Sequence, residues 1–556
     1  MPRYSLGLDF GTESVRALLV NLETGEELGE QVYRYPHGVI DHELPCPEGT
    51  TLGHDWFLQH PRDYLDGLEQ VVPDTLCAAD VDPSEVVGIG MDFTACTVMP
   101  TDGEGTPLCM KDEFRANPHA WVKLWKHHGA TAEAERIINV AHERDEDFLD
   151  YYAGKLSSEW FVPKVLETLN NAPELYDAAD TFVEGADWVA WQLTGELARN
   201  TCCAGYKALY VDGPGYPSRE FLEAVHPRLG GLFEEKVTER ILPAGTAVGR
   251  LTEEWAEKLN LRAGIPVSAG IIDAHAGMVG CGVTGPGRMA VIMGTSFCHM
   301  LLSERCEFFE GLAAVVKDGI VEGYYGYESG QTAGGDIYAW FVDNCVPADY
   351  QEQADEAGVD IHHLLTEKAQ QLNPGQSGLI GLDWWNGNRS ILMDPELSGM
   401  IVGLTLDTKA EEIYRALIEG TAFGTRRILQ SYVDAGLEIE QLVACGGIPE
   451  RNPFAMQIFA DVCNLPIHVA ASHQATALGS ALFGAAAAGK EGGGFDSVQE
   501  ATDSVVKPPR KVYEPDAAAA EVYDKLYEEY KAAHDYFGRQ ERLMHRLRQI
   551  RRESTE

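Results

Sequence analysis

The sequence predicts an α/β protein made of two related halves. Short apolar runs typical of strands are interspersed with longer segments of helical periodicity. One pattern occurs twice: GLDFGTESVRALLV begins at residue 7 and AVIMGTSFCHMLLS at residue 290, each with a Gly-Thr turn between two apolar runs. A chain of 556 residues is also longer than one hydrophobic core usually serves. We therefore predict two domains with a boundary near residue 285.

The elements of the first half follow from its apolar spacing. Residues 3–35 are predicted to form strands that turn at Gly11, and residues 86–100 repeat this strand–turn–strand pattern. Apolar residues three or four apart predict helices. These helices are expected over residues 61–80, 119–141, 159–171 and 185–195, the last with a glycine stop.

The second half is interpreted in the same way. A strand pair is predicted over residues 288–303 and a further strand over 441–445. Helices are predicted over residues 411–430, 453–463 and 475–488, followed by one long, locally basic helix from Asp516. We therefore divide the chain into an N-terminal domain at 1–285, a C-terminal domain at 286–515 and a C-terminal helix at 516–556.

The composition is typical of a soluble globular protein and limits its partners. Hydrophobic residues make up 45% of the chain and charged residues 23%, with a formal net charge of −44. That charge repels phosphate, so we expect neither nucleic acid nor an anionic membrane as a partner. The absence of a long apolar run or an apolar export segment predicts a cytoplasmic protein. The 12 cysteines lack metal-binding spacing and are expected to be reduced.

The two Gly-Thr turns are candidate phosphate sites. Gly11, Thr12 and Ser14 offer backbone N–H groups and hydroxyls, and Asp9 at the strand end suits Mg²⁺ held through water. Asp and Gly are also common in plain β-turns, so this segment alone leaves both interpretations open. The matching turn at 294–296 favours a phosphate role, because two such turns could hold one nucleotide.

Two other segments are candidates for chemistry. CGGIPERN, residues 445–452, follows a strand, and its small residues allow a close approach to a flat ligand, although an ordinary strand–helix loop has the same composition. Asp273 is a lone carboxylate in the apolar segment GIIDAHAG. Burying it without a partner would be costly, so it either caps a helix or acts as a general base.

One segment imitates a nucleotide-binding motif without its chemistry. GAAAAGKE, residues 484–491, fits GxxxxGK but ends in Glu491, where a P-loop needs a hydroxyl residue, and it follows a helix rather than a strand. We reject a P-loop and expect Gly489 to end the helix.

Together these segments resemble the FGGY carbohydrate kinases, a family of the actin, hexokinase and Hsp70 superfamily. LGLDFGTESVRALLV resembles the family's first phosphate motif, VIMGTSFCHM the second and ACGGIPERNP the adenosine motif, while GIIDAHAG carries the aspartate matching the catalytic base. The resemblance runs from about residue 3 to residue 535. It implies a two-domain, ribonuclease H-like fold with a catalytic cleft between the domains, and it implies ATP and Mg²⁺.

By matching position, the resemblance assigns roles to single residues. Asp273 is the expected catalytic base and Asp9 the expected magnesium ligand. Asp92 is a further candidate for pairing a sugar hydroxyl, and Phe297 stands where the family often has a small residue. The sugar is expected to contact Ala95, Trp125, Lys207, Asp273 and Glu328. The nucleotide is expected to contact Gly11, Thr12, Glu13, Gly294, Thr295, Ser296, Gly446, Gly447 and Asn452.

Within the family, four segments are most similar to the kinases of L-ribulose, among them HAWVKLWKHHGA and GADWVAWQLTG. This implies ATP-dependent phosphorylation of L-ribulose to L-ribulose 5-phosphate in L-arabinose catabolism. Trp125 would then form an apolar wall for the sugar, although its spacing also fits a core tryptophan. The alternatives are a kinase of D-ribulose, ribitol or xylulose, a nucleotide-driven chaperone or filament protein, and a non-catalytic sugar sensor. The oligomeric state, including a homodimer, stays open.

Overall fold

Strands occur in both halves of the computed structural model, which describes residues 2–555. In chain order the strands are β1 Tyr4–Phe10, β2 Ser14–Asn21, β3 Glu27–Arg34, β4 Leu58–Gln59, β5 Val86–Phe93, β6 Val98–Thr101, β7 Val122–Lys123, β8 Thr181–Glu184, β9 Arg199–Asn200, β10 Ile241–Leu242, β11 Ala247–Arg250, β12 Pro266–Ser268, β13 Ile271–Ile272, β14 Gly287–Met293, β15 Phe297–Ser303, β16 Ala314–Lys317, β17 Tyr325–Gln331, β18 Ile380–Leu382, β19 Met400–Val402, β20 Ile439–Cys445, β21 Ile467–Val469 and β22 Lys511–Tyr513.

Helices alternate with these strands, as the apolar periodicity predicts. In chain order the helices are α1 Pro61–Ala79, α2 Thr131–Arg144, α3 Phe161–Asn171, α4 Pro173–Ala178, α5 Gly185–Thr194, α6 Thr201–Ala208, α7 Arg219–Val225, α8 Leu232–Glu235, α9 Glu253–Leu259, α10 Asp273–Gly280, α11 Gly335–Cys345, α12 Ala348–Ala357, α13 Ile361–Gln370, α14 Ala410–Asp434, α15 Gly447–Arg451, α16 Pro453–Cys463, α17 Ala475–Gly492, α18 Val498–Val505, α19 Ala517–Asp535 and α20 Leu543–Thr555.

The chain divides into two compact units. The first unit contains the chain up to Gly285, Val315–Gly326 and Gln474–Lys507. The second unit contains Pro286–Ala314, Tyr327–His473 and the chain from Pro508 onward. The first transition coincides with the predicted boundary near residue 285. The later boundaries differ from the prediction, because two segments return to the first unit and the C-terminal helices belong to the second.

The first unit is built on a sheet with the strand order β11-β12-β5-β1-β2-β3, and β13 also pairs with β5. The predicted hairpin that turns at Gly11 is confirmed: β1 and β2 are antiparallel and pair from Tyr4 with Asn21 to Phe10 with Val15. β5 runs parallel to β1, and β13 runs parallel to β5. The carboxyl ends of these three strands therefore lie at one edge of the sheet.

Helix α17 belongs to the first unit because it packs directly against β1 and β5. Gly7, Gly88 and Gly90 face it, and a Cβ atom on any of them would lie about 2 Å from a backbone oxygen of α17. The Ser5 hydroxyl donates to the Ala481 carbonyl at 2.6 Å across the same contact. Glycines on the strands and alanines on the helix thus allow the two backbones to approach each other closely.

The second unit repeats the central arrangement of the first. Its sheet has the strand order β17-β15-β14-β20-β21-β22. The hairpin β14–β15 is antiparallel, and β20 runs parallel to β14 with Ile292 opposite Cys445. The orders β5-β1-β2 and β20-β14-β15 therefore have the same strand directions, in agreement with the two related halves expected from the sequence.

Two helix predictions are wrong and one stop signal is confirmed. Residues 119–130 form no α-helix: residues 118–120 form a single 3-10 turn, Val122 and Lys123 form β7, which pairs with β4 and β6, and the α-helix begins only at Thr131. The C-terminal helix is interrupted by a π turn at Tyr536–Gln540, where Gly538 packs against Leu392. Gly489 adopts φ 64°, ψ 165° and breaks the helical conformation, as predicted.

Two expectations from the composition can be compared with the structure. No disulfide joins the 12 cysteines, all of which lie within residues 2–555. Over the same residues, no helix has both the length and the apolar content that crossing a lipid bilayer requires.

Candidate active site

Three carboxylates lie together at one edge of the first sheet. Asp9 is near the end of β1 and is paired in register with Asp92 near the end of β5. Ile271 of β13 is paired with Asp92, and Asp273 follows as the first residue of α10. The sequence analysis singled out all three residues, and the parallel register explains why they meet.

The environments of Asp9 and Asp92 affect the pKa values of the two carboxyl groups in different ways. Asp92 is fully buried, and burial together with the charge of Asp9 raises its pKa well above the usual range. The Ser480 hydroxyl donates to its Oδ2 at 2.6 Å. Burial also raises the pKa of Asp9, but the Arg16 guanidinium opposes this effect by donating to Oδ2 of Asp9 at 2.7 Å. Burial therefore raises the pKa of both carboxyl groups, while the Arg16 guanidinium favours the ionised form of Asp9.

This burial separates Asp92 from the surface of the candidate site. Its side chain lies between β5 and α17, where Ser480 holds it, and it is 0% exposed. Its predicted role in pairing a sugar hydroxyl stays a prediction. In the structure, Asp92 is the buried neighbour of Asp9.

Asp273 differs from both of these residues because it is only partly buried. It begins α10, and its Oδ1 accepts a hydrogen bond from the backbone N–H of Ala274 at 2.7 Å. The carboxylate thus lies at the N-terminal end of an eight-residue helix, where the helix dipole stabilises negative charge. Asp273 is the first residue of α10 and not its cap, because Ile272 occupies the N-cap position; its role as a general base stays a prediction.

The turn after β1 is held by four hydrogen bonds. The Gly11 N–H donates to the Ser14 carbonyl at 2.9 Å, and the Glu13 carbonyl accepts from Tyr35 at 2.9 Å. Gln59 Nε2 donates to the Thr12 carbonyl at 2.6 Å. The fourth bond joins two predicted ligand contacts, because Trp125 Nε1 donates to Thr12 Oγ1 at 3.1 Å.

Trp125 is not a core residue. Its relative exposure is 37%, and it follows β7 instead of lying on an amphipathic helix. The structure therefore removes the interpretation of Trp125 as a buried helix residue and leaves its ring next to the Thr12 turn, available as an apolar wall.

The other predicted sugar contacts of the first unit lie in two short segments. Ala95 is half-buried in the loop between β5 and β6. Lys207 is buried near the end of α6, with Nζ 5.8 Å from the ring centre of Trp160. Burial raises the pKa of the neighbouring Cys96 thiol to about 12, and the charge of Lys207 opposes that rise, so Lys207 lies close to the Ala95 loop.

Glu328 belongs to the second unit. It lies in β17 and is 7% exposed, and its backbone carbonyl accepts from the Ala313 N–H at 2.9 Å. The structure places Glu328 in a strand of the second sheet, and its contact with a sugar stays a prediction.

The second unit carries the second turn and the glycine loop at neighbouring strand ends. The Gly294 N–H donates to the Ser296 carbonyl at 3.1 Å, and Thr295 and Ser296 are exposed. Gly446 follows β20, next to the end of β14, with φ 103°. A Cβ atom at Gly446 would lie 2.6 Å from the Met293 carbonyl oxygen, so only glycine fits there.

Two predicted nucleotide contacts have structural roles as well. The Asn452 side chain caps α16, with Oδ1 accepting from the Ala455 N–H at 3.0 Å. Gly447 is the first residue of the short helix α15, and a Cβ atom there would meet nothing within 4 Å. A flat ligand would need this open space next to the Gly447 backbone.

A second glycine pair was missed by the sequence analysis. Gly334 and Gly335 begin α11, and their N–H groups donate to the carbonyls of Thr295 at 2.8 Å and Gly294 at 2.9 Å. The signal was present as Gly-Gly before the apolar helix in TAGGDIYAWF. Gly334 also makes room for the unusual Phe297, because a Cβ atom at Gly334 would lie 2.2 Å from Phe297 Cε1.

A cluster outside this region has the composition of a metal site but not its geometry. Ligand atoms of His37, His60 and Asp63 lie within 4.8 Å of one another. The two imidazole rings are stacked, with centroids 4.2 Å apart and planes 15° apart, so one ion cannot lie in both ring planes. His60 Nδ1 accepts from the Arg62 N–H as the cap of α1. We interpret the cluster as a helix cap.

Comparisons of the sequence identify related proteins. Residues 4–280 match the N-terminal domain of the FGGY family of carbohydrate kinases, and residues 289–488 match its C-terminal domain. A protein of Geobacillus thermodenitrificans named ribulokinase is 49% identical over 547 residues, covering 98% of this chain and 97% of its own. A protein of Halalkalibacterium halodurans with the same name is 51% identical over 537 residues, covering 97% and 95%.

Solved structures show the same fold at lower identity. Xylulose kinase from Rhodospirillum rubrum is 23% identical with a TM-score of 0.77, and the match covers 96% of this chain and 98% of that one. Gluconate kinase from Lactobacillus acidophilus is 18% identical with a TM-score of 0.80, covering 97% and 99%. These similarities confirm the predicted two-domain fold of the actin and hexokinase type.

Proposed function

The chain belongs to the FGGY family of carbohydrate kinases, and we propose that it is a cytoplasmic enzyme that phosphorylates L-ribulose with ATP. The products are L-ribulose 5-phosphate and ADP, which places the enzyme in L-arabinose catabolism. The substrate assignment is supported by relatives named ribulokinase that are about 50% identical over nearly the whole chain. The observation that carries the chemistry is the position of Asp273 at the carboxyl edge of the first sheet.

Asp273 is the group that accepts the proton of the sugar hydroxyl. As the oxygen of the 5-hydroxyl bonds to the terminal phosphorus of ATP, the bond to the β–γ bridging oxygen breaks and ADP leaves. The hydroxyl proton passes to the Asp273 carboxylate. Burial and the charge of Asp9 raise the pKa of Asp92, and this shift favours a lower negative charge at the edge that phosphate approaches.

The donors around the first turn fit magnesium. Mg²⁺ prefers hard oxygen ligands and keeps several waters, and Asp9 and Thr12 offer a carboxylate and a hydroxyl there. When bound, the ion neutralises phosphate charge. Arg16 fixes the Asp9 carboxylate through its 2.7 Å hydrogen bond, so Asp9 is oriented before any ion is bound.

The nucleotide is proposed to use backbone groups of both turns. In the first unit, Gly11, Thr12 and Glu13 supply the turn after β1. In the second unit, Gly294, Thr295 and Ser296 supply the turn after β14, while Gly446 and Gly447 supply the flat, open backbone suited to adenosine. Backbone N–H groups can bind phosphate without a cationic side chain. This matters because the chain has a formal net charge of −44.

The sugar is proposed to lie against the Trp125 ring in the first unit. Ala95 and Lys207 border that region, and Glu328 of the second unit is the further candidate ligand. Lys207 offers a buried ammonium, whose polar contact would discriminate strongly against analogues lacking the matching hydroxyl.

The test is a coupled ADP-release assay with a panel of L-ribulose, D-ribulose, xylulose and ribitol. We expect the highest kcat/KM with L-ribulose. Asp273→Asn should bind sugar and ATP but lower kcat by about 10²–10⁴-fold, because the proton acceptor is gone. Asp503→Asn, an exposed change on α18 of the same unit, is the matched control and should leave kcat unchanged. Normal turnover by Asp273→Asn would exclude Asp273 as the base, and a higher kcat/KM for another sugar would replace the substrate.

A further inference from the structure

Lys164 is a buried lysine that the proposed reaction does not use. It lies on α3 and is 1% exposed. Its Nζ donates to the Cys96 carbonyl at 2.7 Å, the Leu124 carbonyl at 2.7 Å and the Lys123 carbonyl at 3.4 Å. The three donors of the ammonium thus point at three backbone carbonyls.

These carbonyls belong to the two segments that carry predicted sugar contacts. Cys96 directly follows Ala95, and Leu124 directly precedes Trp125. The two segments are far apart in sequence, and the Lys164 ammonium joins them at one point. The Cys96 backbone has φ 56°, a conformation that non-glycine residues rarely adopt and that the surrounding contacts must hold in place.

A neighbouring lysine shows that burial alone does not explain these contacts. Lys123 is also buried, but its Nζ donates to the Glu167 carboxylate at 2.6 Å and to the Thr168 hydroxyl at 2.8 Å. Lys123 therefore has an ionic partner, whereas the contacts recorded for the Lys164 ammonium are all with main-chain oxygens. A buried charge held in this way is costly compared with an apolar side chain of similar size, so stability is a poor explanation for it.

We infer that Lys164 is a positioning residue, which holds the Ala95 loop and the Trp125 segment in the arrangement that binds the sugar. The inference rests on the proposed function and adds a residue that does not itself touch the substrate. Burial lowers the pKa of Lys164 to about 8, so the ammonium stays charged at neutral pH and keeps all three donors.

The test replaces the ammonium with an apolar side chain of similar length. Lys164→Met should raise KM for the sugar by about tenfold or more, because small misplacements of positioning groups have large effects. KM for ATP should change less than KM for the sugar, because Lys164 reaches the proposed ATP-binding turn only indirectly, through the 3.1 Å hydrogen bond from Trp125 to Thr12. Backbone amides over residues 95–98 and 124–127 should exchange hydrogen faster in the variant than in the wild type.

Lys236→Met is the matched control. Its Nζ also donates to a backbone carbonyl, that of Ala179, at 2.6 Å, and it is only partly buried. This variant should leave both KM values and the exchange of the two segments unchanged. Equal changes of the sugar and ATP KM values in Lys164→Met, or unchanged exchange at both segments, would overturn the inference.

Three further outcomes would also bear on Lys164. If Lys164→Met does not fold, Lys164→Gln is measured in its place; failure of both to fold while Lys236→Met folds would assign Lys164 to stability and overturn the inference. If the wild type prefers a sugar other than L-ribulose, the proposed substrate fails, and the KM comparison is made with the preferred sugar. If it phosphorylates none, the proposed function fails and hydrogen exchange alone decides on Lys164.

Discussion

Replacing Gly90 by alanine tests how closely α17 lies against the first sheet. A Cβ atom at residue 90 would lie 1.9 Å from the Ser480 carbonyl oxygen and 2.6 Å from the Gly484 nitrogen. Neither atom belongs to a flexible side chain, so the backbone of α17 or of β5 must move by about 1.5 Å to give ordinary contact.

The expected cost follows from this displacement. Overpacking of a core by one methyl group usually costs about 1–3 kcal/mol, and backbone neighbours place Gly90→Ala at the upper end of that range. For a large domain, 1 kcal/mol corresponds to a Tm change of about 2 °C. We therefore expect Tm to fall by about 6 °C. The same movement shifts Ser480, whose hydroxyl donates to Asp92, so kcat should fall together with Tm.

Scanning calorimetry and the kinase assay measure these two effects. Gly285→Ala is the control, because a Cβ atom there would meet nothing within 4 Å and its backbone is not in a left-handed conformation. This control should keep Tm or raise it slightly, since alanine reduces the entropy of the unfolded chain. Equal Tm values for Gly90→Ala and Gly285→Ala would refute the close packing of α17.

Two predictions concern the second unit. Burial lowers the pKa of His299 from 6.5 to about 3, so the unfolded chain binds a proton that the folded chain does not, and stability is lost as pH falls from about 6.5 towards 4. His299→Leu should reduce the slope of unfolding free energy against pH by about 1.4 kcal/mol per pH unit in urea titrations between pH 4 and 6; an unchanged slope would contradict the assignment. Arg415 donates to Glu419 at 2.7 Å and to the Tyr523 hydroxyl at 2.9 Å, all three buried. Arg415→Met should cost about 3–5 kcal/mol by removing the charged partner of Glu419, which keeps only the neutral hydrogen bond from the Tyr523 hydroxyl among its described contacts. Arg415→Met with Glu419→Gln should recover most of this cost; no recovery in urea unfolding would refute this reading.

The local elements of the site were predictable from sequence. Alternating apolar residues on both sides of Gly11 give the hairpin, and the same pattern around residues 294–296 gives its counterpart. The positions of Asp9 near the end of β1 and of Asp273 after β13 could be predicted because each follows an apolar run, while their roles stay predictions. These positions depend on neighbours in the chain.

The remaining features depend on residues distant in sequence. Asp92 follows an ordinary apolar strand, and only the parallel register with β1 and the packing of α17 show that it is buried beside Asp9. The segment HAWVKLW was predicted to be helical because alternating bulky residues can fit either period, and pairing of β7 with β4 and β6 decides for a strand. Lys164 had no sequence signal, because its partners are main-chain carbonyls.

The place of α17 in the chain also determines the order in which the protein can fold during synthesis. The sheet of the first unit emerges from the ribosome early, but the helix that covers Gly7, Gly88 and Gly90 follows only after most of the second unit has been made. Translation at about 5–20 residues per second leaves this apolar sheet face uncovered for many seconds. The nascent first unit therefore lacks the cover of this face throughout that interval, and a fragment ending at the first domain boundary would keep the face exposed permanently.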